Sequence, residues 1–418
     1  MNEQIKQRIT QLNNGEVPNG YEKTEIGTFP VGWKTTTLDK LLEFKNGVNA
    51  DKEKYNSGVK MISVMDILTD SPIYYDKIKG QVDIDEKTLD TYSVTYGDIL
   101  FQRSSETFED AGKSNVYLDK DRTATYSGFV IRGKKKAHYN PYFLNEALRI
   151  GQVRNQIIRN AAGSQHINVG QDSLAKIIVP LASDIEQSRI AEILMKWDEA
   201  IELREKHIEA LETKKEAILQ RLVVKNDGWK KIRLKDILTE RSIFATKDDG
   251  YPHVTLSKTG VNKKTDRYNR DFLVKSDDKK YKITRPNDIC YNPANLKFGV
   301  ICVNKFSEEA IFSPIYVTYE VSEEYNVDFI GAILCSNNFI NYIRKYEEGT
   351  VYERQAVKSE DFLRGEIWVP SSKAEQDRIA DVIHKINDYI ILVQQELEAL
   401  QLQRKTLQQY LLNGIVRV

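Results

Sequence analysis

The chain has 418 residues, of which 40% are hydrophobic and 29% charged, and its 61 basic and 61 acidic side chains give a formal net charge of zero. That length exceeds one ordinary core and points to two or three domains, while neutrality counts against a free-standing, tight nucleic-acid binder, which carries a basic excess. No apolar run approaches bilayer length, the start Met-Asn-Glu-Gln-Ile-Lys lacks a signal-peptide core, and Cys290, Cys302 and Cys335 show no metal spacing, so a cytoplasmic protein with reduced core cysteines is expected.

The first predicted element is a short helix over 2–12, with Ile5, Ile9 and Leu12 at helical spacing and Asn13-Asn14-Gly15 as the stop. From there to Pro180 the pattern shortens to strands and turns. Thr24-Glu25-Ile26-Gly27 and Gly32-Trp33-Lys34 come first, then the strand-like Lys60-Met61-Ile62-Ser63-Val64 and Ile99-Leu100-Phe101. One helix is expected over 141–158, followed by a Gly163-Ser164 turn and a strand ending in Val179-Pro180. A long helix then starts at Ser183, its seam formed by Ile190, Trp197, Ile201, Ile208, Leu211, Ile218 and Leu222 at heptad spacing.

The chain then repeats itself. Gly228-Trp229-Lys230 answers Gly32-Trp33-Lys34, and Asn287-Asp288-Ile289-Cys290 answers Gly97-Asp98-Ile99-Leu100. A helix over 327–343, a Gly349-Thr350 turn and Val369-Pro370 follow in the same order. A second long helix carries its seam on Ile379, Ile383, Ile386, Ile390, Val393, Leu397, Leu400, Leu407 and Leu411. At one constant offset Glu186-Gln187 falls on Glu375-Gln376 and Arg189-Ile190-Ala191 on Arg378-Ile379-Ala380. Even the basic seam residues Lys215 and Arg404 coincide, and each helix opens with Ser-x-x-Glu, read as a capping box. The first helix carries the chain from one domain to the next, so the second can bury its seam on the first only by running back.

The fold class is therefore α+β: two mixed α/β globular domains joined by two long antiparallel coiled-coil helices, with a pseudo-two-fold internal repeat. The expected divisions are an N-terminal helix over 1–20 near the end of the second long helix, a domain over 21–182, a helix over 183–226, a domain over 227–371 and a helix over 372–414. A rise of about 1.5 Å per residue makes the stretch from Ile190 to Leu222 roughly 50 Å long, against a duplex turn of roughly 34–36 Å.

Catalytic signatures are missing. Asn292-Pro293-Ala294-Asn295 lacks the second proline and the aromatic residue of an adenine methyltransferase motif and reads as a turn after a strand. Gly112-Lys113-Ser114 mimics the end of a phosphate-binding loop, but Thr107 stands where its first glycine belongs. The five histidines form no metal or triad spacing, and Lys134-Lys135-Lys136 fits a solvated loop as well as a phosphate contact.

Two variable domains, each followed by a long helix bearing Glu-Gln-x-x-Ile-Ala, resemble the specificity subunit of a Type I restriction-modification system. The resemblance spans nearly the whole chain and includes Asn292-Pro293, Gly299-Val300-Ile301 and Phe312-Ser313-Pro314. It implies that each domain is a target-recognition domain reading one part of a split, asymmetric site in double-stranded DNA. The paired helices then act as a ruler and as docking surface for two modification subunits. No cofactor is expected in this chain; S-adenosylmethionine, ATP and Mg are expected in the modification and restriction subunits. Partners can supply much of the phosphate contact, which accommodates the neutral charge.

Loops after the framework strands are the natural place for DNA contacts. In the first domain they offer Arg103, Ser104, Ser105, Lys113, Ser114, Ser164, Gln165 and His166, and in the second Asn292, Asn295, Lys297, Thr350, Tyr352, Arg354 and Gln355. Arg can read guanine and Gln adenine bidentately, although the stretch 347–355 is more acidic than a DNA contact calls for. Two other classes compete. A stand-alone DNA-binding regulator explains the paired domains but not the neutral charge, and a self-sufficient enzyme needs motifs the chain lacks.

Overall fold

The computed structural model describes residues 3–222, 228–246, 249–258, 260–264, 280–348 and 355–418, with the side chains of 221 and 222 outside that description. The chain divides into two compact units, Met1–Arg204 with Leu397–Val418, and Glu205–Glu396. Each long helix thus contributes to both.

In the first unit the central sheet has four antiparallel strands in the order Leu42–Asn46, Val130–Lys135, Ile99–Gln102, Ser114–Val116. Ile99, Phe101 and Ile131 alternate onto one face and join Phe143, Leu144, Leu148 and Val153 in the core. Leu100, Val130 and Tyr126 face a smaller core on the other side. Its second layer is a three-stranded sheet of Thr125–Tyr126, Tyr55–Ile62 and Gln81–Val82. The strand through Met61 stops at Ile62, earlier than expected, because Ser63 caps the short helix Val64–Ile67, its N–H donating to Asp66 Oδ2 at 2.8 Å.

The second unit builds the same sheet. Its order is Leu238–Glu240, Val317–Val321, Ile289–Tyr291, Ile301–Val303, again antiparallel throughout. In each domain the last strand pairs with one near the start: Lys34–Thr37, which follows the hairpin Tyr21–Thr24 and Gly27–Pro30, with Ile178–Leu181, and Trp229–Arg233 with Glu366–Pro370.

The single helix expected over 141–158 is two, Pro141–Ala147 and Gly151–Arg159, because Ile150 adopts an extended conformation and restarts the helix at Gly151. The counterpart over 327–343 breaks likewise into Val327–Leu334 and Asn337–Ile343, where Ser336 Oγ accepts the Phe339 N–H at 3.2 Å. A capping side chain satisfies free donors at a helix start, and here it fixes the break. Cys290 is buried and Cys302 half-buried, but Cys335 ends a helix and is exposed, contrary to the core position expected of it.

The long helices are Asp184–Leu222 and Lys373–Leu412. Within the first unit Arg417, just beyond the second helix, meets Glu186 at 2.6 Å, and Arg404 meets Asp198 at 2.8 Å. Within the second unit the His207 and Tyr389 rings lie 5.9 Å apart, and Leu219 shares a core with Ile379 and Ile383. The numbering runs in opposite senses in both, so the helices are antiparallel. Ile190, Ile379, Ile383, Ile390, Val393 and Leu411 are buried, while Trp197, Ile201, Ile208, Leu211, Ile218, Ile386, Leu397, Leu400 and Leu407 are half-buried; the Leu222 side chain lies outside the described residues. Leu194 and Leu219, also buried, complete the seam.

The N-terminal helix, Glu3–Asn13, has no buried residue, and Arg8 donates to the carbonyl of Ile415 beyond the second long helix. That helix is closed by Gly414 at φ +63, where a Cβ would stand 2.2 Å from Pro30 Cγ. Only glycine fits there.

Candidate nucleic-acid interface

Each domain is fastened to its helix by the Glu-Gln pair that the sequence repeats. Ser183 Oγ accepts the Glu186 N–H at 3.3 Å, but the Glu186 carboxylate does not reach back as a capping box requires. It accepts the Trp33 indole N–H at 2.8 Å, as Glu375 accepts that of Trp229 at 3.2 Å. Gln187 Oε1 accepts the Asn140 N–H at 2.9 Å while its Nε2 donates to the Ala182 carbonyl at 2.8 Å. Gln376 repeats both bonds, with Asn326 at 2.9 Å and Pro370 at 3.2 Å. Asn140 and Asn326 in turn cap the domain helices, accepting the Phe143 and Phe329 N–H groups.

The framework extends to the loops. Asp98 is buried between the N–H groups of Thr95 and Lys135, at 3.0 and 2.9 Å, and burial raises its pKa. Asp288 holds the Arg285 N–H at 2.8 Å and the Arg241 guanidinium at 3.2 Å, and burial again dominates, raising its pKa. Just beyond the strand after each Asp a carbonyl accepts from a valine: Val169 N–H to Arg103 at 3.0 Å, Val357 N–H to Pro293 at 3.2 Å. Just before each valine a pair of residues exchanges two backbone hydrogen bonds, Ala162 with Asn168 and Glu348 with Ala356. Each domain therefore carries one strand-end loop held against one bridged loop.

In the first domain this brings the expected residues together. Strand Ser104–Ser105 pairs with Ile167–Asn168, and the Ser104 hydroxyl meets Asn168 Oδ1 at 2.5 Å. Ser164, Gln165 and His166 are exposed at the tip of the bridged loop. Arg103 is half-buried, with Nη1 donating to the Gly128 carbonyl at 3.3 Å. Lys113 is exposed and paired with Asp110 at 2.6 Å. Two residues are not on this surface: Ser105 is buried with its hydroxyl on the Thr107 carbonyl at 2.7 Å, and Ser114 is buried in the edge strand of the four-stranded sheet with its hydroxyl 3.3 Å from Asn145 Oδ1. Lys135 is also engaged internally, donating to the Tyr139 carbonyl at 3.1 Å.

In the second domain Asn292 is buried, and its Oδ1 accepts the Ala294 N–H at 3.1 Å, closing the turn after the strand. Asn295 is exposed and Lys297 half-buried, its ammonium 5.3 Å from the centre of the Phe298 ring. Gln355 is half-buried; Thr350, Tyr352 and Arg354 lie outside the described residues. The acidity near this loop is partly neutralised, Glu347 pairing with Arg344 at 3.1 Å and Glu348 with Lys358 at 2.8 Å.

A family model described as the Type I restriction modification DNA specificity domain matches residues 30–213. That span runs from just before the strand Lys34–Thr37 through the rest of the first domain and well into the first long helix. A curated relative, the putative type I restriction enzyme MjaX specificity subunit of Methanocaldococcus jannaschii, is 24% identical over 95% of this chain and 97% of its own length. Over residues 30–213 the chain is thus similar to the Type I restriction modification DNA specificity domain, and over nearly its whole length to a specificity subunit. The fold recurs in the crystal structure of the Type-I restriction-modification system S subunit from M. genitalium, with a TM-score of 0.52, 14% identity and coverage of 95% of this chain and 97% of that one. A chain solved in work on complex assembly and conformational transition of the type I R-M system gives a TM-score of 0.55 at 12% identity, covering 93% of this chain and 98% of that one.

Sequence reasoning missed a buried charge cluster at the second long helix. Arg404 meets Glu146 at 2.7 Å, Asp198 at 2.8 Å and the Tyr142 hydroxyl at 3.0 Å, and Gln408 Nε2 donates to Glu146 at 2.8 Å. Burial opposes the Arg404 charge, but Glu146, Tyr142 and Asp198 outweigh it and raise its pKa. The available signal was a basic residue in an apolar seam. Among the described residues no group of His, Cys, Asp or Glu is placed to hold a metal ion, and no helix is long and apolar enough to cross a membrane.

Proposed function

We propose that this chain is the non-catalytic, cytoplasmic DNA-specificity subunit of a Type I complex, each domain reading one half of a bipartite, asymmetric site. The long helices set the distance between the halves and dock two modification subunits. S-adenosylmethionine belongs to those subunits, and ATP and Mg to the restriction subunits that join through them.

The observation that carries this reading is a duplicated framework with different residues at its loops. The Trp–Glu, Gln–Asn and valine–carbonyl bonds recur in both domains, whereas Arg103 is matched by Pro293 and the bridged loops differ in length and composition. Two similar readers with different contact chemistry suit a target that is two-part in geometry and asymmetric in sequence. The remaining contact candidates are Arg103, Ser104, Lys113, Ser164, Gln165, His166, Asn295, Lys297 and Gln355. Exposed apolar side chains on the long helices, among them Ile185, Leu203, Leu392 and Leu402, suit subunit docking.

The test is to exchange residues 30–180 for those of a relative and sequence the methylated positions in cells carrying the complete system. The expected result is a change confined to one half of the site. Alteration of both halves, or of neither, overturns the reading.

A further inference from the structure

Beside the strand-end loop of each domain a tight turn displays one large apolar side chain to solvent. In the first domain the turn is Ser127-Gly128-Phe129-Val130, closed by the Val130 N–H on the Ser127 carbonyl at 2.9 Å. In the second it is Ser313-Pro314-Ile315-Tyr316, closed by Tyr316 on Ser313 at 3.1 Å. Proline at the second position presets the backbone for such a turn. Phe129 is 66% exposed and Ile315 63% exposed.

A single exposed apolar residue ordinarily needs no explanation. One observation separates both from that background, and two more separate Phe129. Each is the third residue of a turn that leads into the strand pairing with the Asp-led strand, Phe129 one residue before Val130 and Ile315 two before Val317, in register Gln102↔Val130 and Tyr291↔Val317. The Phe129 turn is held rigidly while its side chain is left out. Flanking residues 124–128 and 130–133 are buried, and the turn lies so close to residues 47–49 that a Cβ on Gly128 would stand 1.7 Å from Asn49 Oδ1 and one on Gly47 2.2 Å from the Ser127 carbonyl oxygen. Finally, the turn grips Arg103 on two sides. The Arg103 N–H donates to the Phe129 carbonyl at 3.0 Å and its guanidinium to the Gly128 carbonyl at 3.3 Å. Phe129 is thereby fixed beside the strand-end loop that is braced against Ile167–Val169, next to Ser164–His166 in sequence.

We infer that Phe129 and Ile315 are the apolar base contacts of the two recognition domains. This rests on the DNA-reading role proposed above and adds to it a residue class that the polar candidates do not include. The occupant is duplex DNA, and the groups met are bases rather than phosphates, because neither side chain offers a charge or a hydrogen-bond donor. Apolar side chains distinguish bases by packing on the thymine methyl group or by entering a base step and unstacking it. A rigid mount is what either contact needs, since it spares the ordering cost on binding. Continuity with Arg103 argues for DNA over a protein partner at this turn.

The test uses the complete complex with its modification subunits, the methylated site found as above, and a scrambled duplex as control. Phe129→Ala is expected to weaken binding to the cognate duplex about tenfold or more, leave binding to the scrambled duplex unchanged and leave the salt dependence of binding unchanged. Phe129→Leu is expected to keep most of the affinity, and Ile315→Ala to act on the other half-site. Equal loss on both duplexes, loss of assembly with the modification subunits, or cognate binding within twofold of the parent each overturns the inference. Replacing Ser164, Gln165 and His166 by alanine in parallel separates the two levels. If that variant loses discrimination and Phe129→Ala does not, the apolar contact alone is wrong. If neither changes, DNA does not meet this face, and the assignment of these loops to recognition fails with it.

Discussion

Gln187 Oε1 accepts the backbone N–H of Asn140 at 2.9 Å, one residue before a domain helix begins. One side chain thereby ties the long helix to the entrance of the domain helix, and through Nε2 to the Ala182 carbonyl at the domain's exit. Gln187 and Gln376 are 3% and 2% exposed, so water cannot replace them. Gln187→Ala removes both bonds and is expected to lower stability by about 2 kcal/mol, with Gln376→Ala doing the same in the second domain. Denaturant unfolding checks this; a shift under ~0.5 kcal/mol would show that the bond is incidental.

Arg404 gives a larger effect. Its partner Glu146 is 1% exposed, and Arg404→Met leaves that carboxylate with Gln408 and a longer contact to Arg149 at 3.4 Å. Breaking a buried pair from one side costs about 3–5 kcal/mol, whereas removing both charges costs far less. The double variant Arg404→Met, Glu146→Gln should therefore be more stable than Arg404→Met alone. Additive losses in thermal or chemical unfolding would contradict this account.

Asp328 predicts the acid limb of the stability profile. It lies 2.7 Å from Lys305 and 2.9 Å from His384 on the second long helix. Burial pushes its carboxyl up, but the bonds from Lys305 and His384 prevail and hold it below its ordinary 3.8. A lowered acid stabilises the fold above the unfolded pKa, and that contribution is lost as pH falls through the folded pKa. Asp328→Asn should cost about 1–3 kcal/mol at pH 7, with the difference from the parent shrinking as pH falls below 3.8. A pH-independent difference would rule out the charge as its cause.

Spacing can be tested by length. Inserting four residues in each long helix, between Arg204 and Glu205 and between Glu396 and Leu397, where the two units meet in sequence, adds about 6 Å. That is close to two base pairs at roughly 3.4 Å each. The gap between the methylated halves should widen accordingly; an unchanged gap means that the helices do not measure it.

The architecture was legible because repetition and heptads are properties of the sequence itself. Ile379, Ile383, Ile390 and Val393 could be placed on one seam from spacing alone, and the antiparallel sense followed from connectivity. The role of Glu186 was not legible. Ser-x-x-Glu is the local signature of a reciprocal cap, and only the distant Trp33 and Arg417 draw the carboxylate away. Local propensity likewise could not break the helix over 141–158, where an extended Ile150 restarts it. At the interface, residue type identified loops but not exposure. Ser104 and Ser105 are neighbours of the same kind, yet strand alternation turns the second inward, where its hydroxyl is consumed by Thr107.

The pairing of Lys34–Thr37 with Ile178–Leu181, and of Trp229–Arg233 with Glu366–Pro370, has a consequence for tolerance to change. Lys34 lies opposite Leu181 and Trp229 opposite Pro370, so the polypeptide leaves each domain beside the point at which it entered. From the helix's side, everything between those strands behaves as one hairpin of fixed width. Residues can be gained, lost or exchanged inside it without shifting the heptad phase by a single position. The packing of the long helices is thus insulated from changes in the sequence enclosed between those strands.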